Sequence, residues 1–209
     1  MSVLPTAVSA DDTMVVGSLQ VLKADLGAMT WSDATQRSAS LGANWRLPTI
    51  VELQQLFDHK DEIGGFVGNL YWSSDEVPPA NASIQSFVEL KTANDDKNYL
   101  FFVRPVRSVQ TIALQGLEIL DTDLGLLHWD EANTACARVG SGWRLPTADE
   151  LDLLFRNKDT IGGFVDSFYW GSTEEEPDLP CIQGFINGKQ SKDRKTYEFH
   201  VRPVRSAQP

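Results

Sequence analysis

Histidine and cysteine, the side chains that most often carry out chemistry in proteins, are scarce here, with three His and two Cys. They can be compared within the chain, because residues 19–108 align with 117–206 without a gap and about half of the positions are identical. A duplicated catalytic or zinc site would keep its His or Cys in both copies. None is kept, since the aligned pairs are His59 and Asn157, Thr30 and His128, Phe102 and His200, Ser38 and Cys136, and Ser83 and Cys181. This excludes a duplicated His or Cys active site and leaves open a site in one copy. We expect no enzyme, no metal and no cofactor.

Carboxylates form the second set of chemically capable residues. The run Glu174-Glu175-Glu176, followed by Asp178, offers the oxygen ligands that Ca²⁺ prefers. A solvated acidic loop has the same composition, and we favour that interpretation.

The two copies differ most in two loop-like stretches, 75–83 against 173–181 and 89–94 against 187–192. A rigid framework that carries variable loops is a common way to build a recognition surface. Drift in loops without a function would give the same pattern. The candidate ligand-binding residues in these loops are Asp75, Glu76, Asn81, Glu89, Lys91, Glu174, Glu175, Asp178, Asn187 and Lys189.

The elements that position these loops are predicted from spacing that recurs in both copies. Apolar residues at helical intervals predict a first helix over 32–41, and Thr49 with Glu52 has the T-x-x-E spacing of a capping box that begins a second. The Gly64-Gly65 pair predicts a turn with positive φ. Strands are expected at 19–22, from Tyr71, and at 84–90 and 99–106, with counterparts such as 182–187 and 197–204. Two early helices and late strands predict an α+β fold.

Aromatic and arginine residues are kept in both copies. Every Trp and every Tyr has its counterpart, as expected for two copies of one core. Arginines fixed among apolar residues usually satisfy carbonyls or carboxylates inside a fold, and Glu52 or Asp61 would suit as partners. The recurring arginines are Arg46, Arg104 and Arg107, with Arg144, Arg202 and Arg205 in the second copy.

The net charge of −11 argues against partners with a phosphate backbone or an anionic membrane surface. No apolar run approaches the roughly 18 residues of a membrane-spanning helix, so we expect no membrane insertion. Residues 1–17 lack the basic and apolar regions of a signal peptide. We therefore expect a chain made in the cytoplasm without a cleaved leader, with a place in a virion or at a cell surface as the further alternatives.

The series W-R-L-P-T-x-x-E-L, I-G-G-F, Y-W-x-S and V-R-P-V-R occurs in both copies, beginning at Trp45 and at Trp143. It resembles the DUF1566 family, also called the Lcl C-terminal domain. The R-L-P-T-x-x-E element is also similar to one in formylglycine-generating enzymes. The resemblance implies two tandem C-type-lectin-like domains, each with two helices packed on a twisted antiparallel sheet. It also implies binding of carbohydrate or protein, since such scaffolds present variable loops in surface and phage proteins.

The chain departs from the family pattern at its cysteines. The resemblance implies a disulfide between the first helix and the V-R-C-V-R strand, but Pro105 and Pro203 occupy the strand position. Pairing of Cys136 with Cys181 and two reduced thiols remain as alternatives. Formylglycine-generating enzymes rely on a cysteine pair or metal-associated thiols late in the fold, and no cysteine pair recurs in the two copies here. The E-P-N, Q-P-D and W-N-D motifs of calcium-dependent lectins are also missing.

We predict an N-terminal arm at 1–18, a first domain at 19–108, a linker at 109–116 and a second domain at 117–209. The first function hypothesis is a non-catalytic recognition protein, such as a phage tail fibre or adhesin component, that binds a surface glycan or protein. The second is a structural virion protein that docks on other subunits through the arm, although the arm could equally be a flexible terminus. An oxidase related to the formylglycine-generating enzymes is the third.

Overall fold

The structure is a computed structural model that describes residues 8–67 and 69–207. Helices and strands are mixed, which confirms the α+β class. The chain divides into two compact units, residues 1–108 and 109–209. The first seven residues of the predicted N-terminal arm lie outside the described residues. In the part that the structure describes, no helix is long and apolar enough to cross a membrane.

Unit 1 contains two sheets and three α-helices among its described residues. Its elements are a 3-10 turn at Ala10–Asp12, β1 (Thr13–Val16), β2 (Leu19–Leu22), β3 (Ala28–Met29), α1 (Trp31–Ala39), α2 (Ile50–Asp58), α3 (Lys60–Ile63), β4 (Leu70–Val77), β5 (Asn81–Ser86), β6 (Thr92–Asp96), β7 (Phe101–Phe102) and β8 (Val106–Ser108). One sheet has the order β1-β2-β8 and the other β3-β7-β4-β5-β6.

Unit 2 repeats this order of elements. They are β9 (Thr111–Leu114), β10 (Leu117–Leu120), β11 (Leu126–Leu127), α4 (Trp129–Val139), α5 (Ala148–Arg156), α6 (Lys158–Ile161), β12 (Phe168–Glu176), β13 (Leu179–Gly184), β14 (Gln190–Lys192), β15 (Phe199–His200) and β16 (Val204–Ser206). The sheets have the orders β16-β10-β9 and β11-β15-β12-β13-β14.

The larger sheet is not purely antiparallel, which corrects the predicted architecture. Strand β4 pairs with β5 in the antiparallel sense on one edge and with β7 in the parallel sense on the other. The chain therefore crosses from β6 past β4 before it forms β7. The short helices α3 and α6 add a third helix to the two predicted for each copy.

The repeated structure begins earlier than the repeated sequence. Strand β1 lies within the expected arm and pairs with β2, and β9 lies within the expected linker and pairs with β10. The two strands align at the same offset as the rest, yet only their first residue, Thr13 or Thr111, is identical. An edge strand needs only apolar residues of suitable size, so identity is lost there while pairing is kept.

The helix starts follow the predicted capping boxes. The Thr49 hydroxyl accepts the Glu52 N–H at 3.2 Å, and the Glu52 carboxylate accepts the Thr49 N–H at 2.8 Å. Thr147 and Glu150 repeat both bonds at the start of α5. The first helix was also predicted correctly, although it ends two residues earlier than expected in unit 1.

The predicted strand over 99–106 is interrupted, and its two ends belong to different sheets. Strand β7 pairs with β3 and β4, whereas β8 pairs with β2. Pro105, which lacks an N–H, lies in the break, and the fully buried Arg104 beside it donates to the Leu22 carbonyl at 2.7 Å. The predicted strands over 84–90 and 182–187 also end earlier, at Ser86 and Gly184.

The glycine turn after α3 has the predicted backbone conformation. Gly64 and Gly65 have φ values of 72° and 68°. A Cβ on Gly65 would overlap the carbonyl oxygen of Lys23. The turn therefore needs glycine both for its backbone angles and for space.

Each unit buries its own aromatic core. Tyr71 and Trp72 in unit 1, like Tyr169 and Trp170 in unit 2, are fully buried, which confirms that these twins are core residues. The exposed Tyr99 and Tyr197 do not fit that interpretation. Cys136 and Cys181 are buried and free, so they form no disulfide with each other.

Candidate functional site

In each unit, one lysine contacts both a tryptophan ring and a glutamate carboxylate. The Lys97 Nζ lies 4.5 Å from the centre of the Trp31 ring and 2.5 Å from Glu76 Oε2. A cation over an indole face and a carboxylate beside it stabilise each other. This arrangement fixes the β4–β5 hairpin against the start of α1. Unit 2 repeats it with Lys195, Trp129 and Glu174, at 4.4 Å and 3.0 Å.

In unit 2 this lysine borders an open cleft of about 580 Å³. The cleft lies between the tip of the β12–β13 hairpin, the loop before β15 and the first turn of α4. It is lined by Asp130, residues 177–179 and residues 194–196. Of these seven residues, only Pro177 and Lys195 are identical to their counterparts in unit 1. The cleft therefore combines a shared frame with residues that have changed since the duplication.

The charges around the cleft are partly neutralised within the unit. Lys195 lies 3.0 Å from Glu174 and 3.7 Å from Asp178, and the Asp178 N–H donates to the Glu174 carboxylate at 2.7 Å. The hydrogen bond to Lys195 lowers the pKa of Glu174, so this carboxylate stays ionised at neutral pH. Glu175 and Glu176 are engaged by Lys192 at 2.8 Å and 3.0 Å.

The acidic run that could have bound Ca²⁺ is therefore paired with lysines. Its carboxylates accept from Lys192 and Lys195. Within residues 8–67 and 69–207, no group of three or more His, Cys, Asp or Glu side chains has metal-binding geometry. The acidic run is therefore ion-paired within unit 2.

Asp75 serves the fold, although it lies in a divergent stretch. Its carboxylate accepts the N–H of Ile50, the first residue of α2, at 2.6 Å. In unit 2 the hydroxyl of Thr173 accepts the corresponding N–H of Ala148 at 2.9 Å. Two different side chains thus satisfy the same helix terminus, so divergence here reflects exchange of equivalent caps.

The remaining candidates fall into two groups at opposite ends of β5 and β13. Glu76 and Asn81 lie at the hairpin end, with Glu174, Glu175 and Asp178 in unit 2. Glu89 and Lys91 form an exposed pair at 2.5 Å in the turn after β5. Asn187 accepts the Lys189 N–H at 3.0 Å in the equivalent turn of unit 2. A strand of six residues spans roughly 17 Å, so the ten residues do not form one site.

The recurring arginines are structural, as predicted. Arg46 binds Glu52 through both of its terminal nitrogens, at 2.6 Å and 2.7 Å. Burial opposes ionisation of Glu52, but the hydrogen bonds from Arg46 and the Thr49 N–H outweigh it, so the pKa of this carboxyl is lowered. Arg104 binds Asp25 at 2.6 Å, a partner that the sequence did not indicate.

In unit 2, a histidine joins the hydrogen bonds around a buried tyrosine. His200 Nδ1 lies 3.1 Å from Asp123, which also accepts the Tyr169 hydroxyl at 2.7 Å. Burial raises the pKa of Tyr169, with a further contribution from the Asp123 charge. Phe102 occupies the position of His200 in unit 1. The His59 ring of unit 1 contacts the Gln55 carbonyl, and the His128 ring of unit 2 contacts the Tyr197 carbonyl.

Of the seven residues that line the cleft, only Asp178 was among the predicted binding residues, and Asp130, Arg194 and Thr196 lie outside both divergent stretches. Each differs from its counterpart, which is Ser32, Asp96 or Asn98. A single substitution in the sequence does not indicate a binding site unless its neighbours in the fold are known. The recurrence of Lys97 as Lys195 was visible, but only the structure shows that Trp31 and Trp129 hold these lysines.

No protein-family model matches this chain, and a search of curated proteins finds no similar sequence. The resemblance to DUF1566 and to C-type-lectin-like domains therefore stays a prediction based on the motifs.

Proposed function

We propose that this chain is a non-catalytic recognition protein that binds a surface glycan or protein through the loops of two C-type-lectin-like units. The observation that carries the proposal is the unit 2 cleft, whose frame is shared with unit 1 while five of its seven lining residues differ. Divergent residues that line a concave surface on a shared frame are the arrangement expected of a recognition site. A tail fibre or an adhesin is the proposed context, on the basis of the motif resemblance.

The frame of the cleft is anchored within unit 2 by several contacts. The hairpin is fixed to α4 by the Trp129 indole N–H, which donates to the Gly171 carbonyl at 3.0 Å, and by the stacked Lys195. Strands β12 and β13 remain paired beyond the bulge between Trp170 and Glu174, where Glu174 pairs with Pro180. Loops anchored in this way lose little conformational entropy on binding.

The test is a glycan array and a surface-protein panel probed with the wild-type chain and two exchange variants. Each variant places unit 1 residues in unit 2, so that their chemistry is already compatible with the fold. The cleft exchange carries Asp178→Ala, Leu179→Asn, Arg194→Asp and Thr196→Asn, and the turn exchange carries Asn187→Glu and Ser191→Ala.

We expect the wild-type chain to bind at least one probe, and one of the two exchanges to abolish that binding while its unfolding transition is unchanged. If the folded wild-type protein binds no probe in either panel, the result contradicts the proposal. Binding that survives both exchanges would place recognition outside the unit 2 loops and would contradict the role of the unit 2 cleft.

A second candidate function, a building block in an assembly, is favoured by a different surface. Val67 of unit 1 and its counterpart Val165 of unit 2 are exposed. Val88 and its counterpart Ile186 are also exposed, and these two each expose more than 60% of their surface. In unit 2 a cleft of about 310 Å³ borders Val165, and of its eight lining residues only Asp166 differs from unit 1. Exposed apolar residues kept in both copies have no role in the core.

Substitution of the exposed valines separates the two functions. Val67→Lys with Val165→Lys should leave ligand binding intact under the recognition proposal. If the chain instead acts as a building block, the same variant should lose self-association in analytical ultracentrifugation.

A further inference from the structure

We propose that the unit 2 cleft binds an acidic sugar, a pyranose ring with a carboxylate or sulfate group, and that Arg194 binds the anionic group. This inference rests on the proposed recognition function and names its ligand class. It assigns the binding to unit 2 and not to unit 1.

The size of the cleft favours a sugar over a protein surface. Its volume of about 580 Å³ lies within the roughly 300–1,000 Å³ of small-molecule sites. A stable protein interface instead covers about 800 Å² on each partner and needs no such concavity. A glycan terminus of one or two rings matches the available space.

Arg194 is the cation of the cleft that remains available to a ligand. Lys195 is already paired with Glu174 and Asp178. Among residues 8–67 and 69–207, the exposed guanidinium of Arg194 has no ion pair or hydrogen bond. Only its backbone is engaged, since its N–H donates to the Asp193 carboxylate and its carbonyl accepts the Tyr197 N–H. A guanidinium binds carboxylates and sulfates through two parallel hydrogen bonds.

The other lining residues suit the rest of a sugar. The exposed carboxylates of Asp130 and Asp178 can accept hydrogen bonds from ring hydroxyls, and the Thr196 hydroxyl can donate or accept. Leu179 and Pro177 offer an apolar surface for the C–H groups of the ring. Together, the carboxylate acceptors, the guanidinium of Arg194 and the apolar surface suit a sugar ring that carries both hydroxyl groups and an anionic group.

Unit 1 carries the opposite charge at the key position. Asp96 replaces Arg194, and its carboxylate accepts two hydrogen bonds from Asn98 at 2.8 Å. Ala80 and Ser32 replace the acidic residues at 178 and 130. This surface would repel a carboxylate, so the two units differ in ligand class.

The experiment measures binding of the full chain to three immobilised oligosaccharides of equal length, one carboxylated, one sulfated and one neutral, by biolayer interferometry. We expect the carboxylated or the sulfated probe to bind at least about tenfold more tightly than the neutral one. Arg194→Asp should remove this preference, and Arg194→Lys should keep part of it because the charge remains without the fork.

Arg156→Asp is the matched control. It replaces another exposed arginine of unit 2 by aspartate, the residue that unit 1 has at the aligned position, Asp58. It therefore changes the net charge by the same amount as Arg194→Asp does. It lies at the end of α5, outside the cleft lining. We expect Arg156→Asp to bind as the wild type does.

The outcomes distinguish this inference from the recognition proposal. Equal binding of acidic and neutral probes, or equal effects of Arg194→Asp and Arg156→Asp, would overturn the acidic-sugar assignment. If the chain binds a neutral glycan or a protein and Arg194→Asp has no effect, recognition stands and this inference fails. If folded protein binds no probe in this or the broader panels, both fail.

Discussion

At the scale of single residues, the two units show how a core accommodates substitutions in pairs. Ser73 of unit 1 is buried, and its hydroxyl donates to the Ser83 carbonyl at 2.9 Å. Unit 2 has Gly171 and Cys181 at the two positions, and a Cβ on Gly171 would overlap the Cys181 sulfur. The thiol therefore fills the space that the serine side chain fills in unit 1.

This pairing predicts a non-additive mutation pair. Gly171→Ser alone should destabilise unit 2 by about 1–3 kcal/mol, because it overpacks the site. Adding Cys181→Ser should restore most of that loss, since the pair then matches unit 1. Chemical denaturation of the two single variants and the double variant measures the coupling. Additive losses would show that the two positions do not share space.

Both thiols should be inert while the protein is folded. Burial raises the pKa of the Cys136 thiol to about 12 and also raises that of Cys181. Since the thiolate is the reactive form, alkylation at neutral pH should proceed only in denaturant, where two thiols per chain should react. Rapid labelling of the native chain, or fewer than two thiols in the unfolded chain, would contradict the buried and free state of the cysteines.

At the scale of elements, the helix starts were the most predictable part of the fold. The capping box needs only a Thr and a Glu three residues apart, so Thr49 with Glu52 could be recognised from local spacing. The break at Pro105 was visible as a residue without an N–H, but the two sheets that flank it depend on distant strands. The cleft was the least predictable feature, because Asp130 and Arg194 are brought together only by tertiary packing.

The capping glutamates predict a shared acid sensitivity. The pKa of Glu52 and of Glu150 is lowered in the folded chain, since the bonds from Arg46 and Arg144 outweigh burial. Their contribution to stability is therefore complete above the ordinary carboxyl pKa of about 4.3 and is lost as pH falls through the lower folded values. The double variant Glu52→Gln with Glu150→Gln has no carboxylates to protonate at these positions, so it should lose less stability than the wild type when the pH falls below that value. The difference should be at most about 1 kcal/mol per helix.

Urea denaturation at steps between pH 6 and pH 3 checks this expectation, with the pH values chosen to span about 4.3. The wild type and the double variant should differ at pH 6 and converge as the glutamates are protonated. A constant difference across the range would show that these carboxyls do not titrate differently in the folded and unfolded chains.

The glycine turn predicts unequal costs in the two units. A Cβ on Gly65 would overlap the Lys23 backbone, whereas on Gly163 its nearest contact is the Arg202 Nη2 at 3.1 Å. Both glycines have positive φ, so alanine costs roughly 1–2 kcal/mol at either position. Gly65→Ala should cost more than Gly163→Ala in denaturation experiments, because a backbone carbonyl moves less readily than a side chain. Equal costs would mean that the backbone angle alone sets the penalty.

At the scale of the whole molecule, each unit has its own core. The buried clusters around Tyr71 and Trp72 contain only unit 1 residues, and those around Tyr169 and Trp170 contain only unit 2 residues. Residues 1–108 and 109–209, expressed separately, should therefore each fold and unfold cooperatively. Calorimetry of both fragments tests this, and a fragment without a cooperative transition would show that it needs the other unit.

The recognition proposal requires that residues changed since the duplication determine what the unit 2 cleft binds. The measurement that tests this moves four of the five changed residues, all except Asp130, to unit 1 in a chain that already carries the cleft exchange, and then measures affinity for the ligand that the wild type binds. We expect loss of binding in the exchanged chain and its recovery after the transfer. Affinity that stays constant through both steps would contradict the claim. The transferred substitutions are Ala80→Asp, Asn81→Leu, Asp96→Arg and Asn98→Thr.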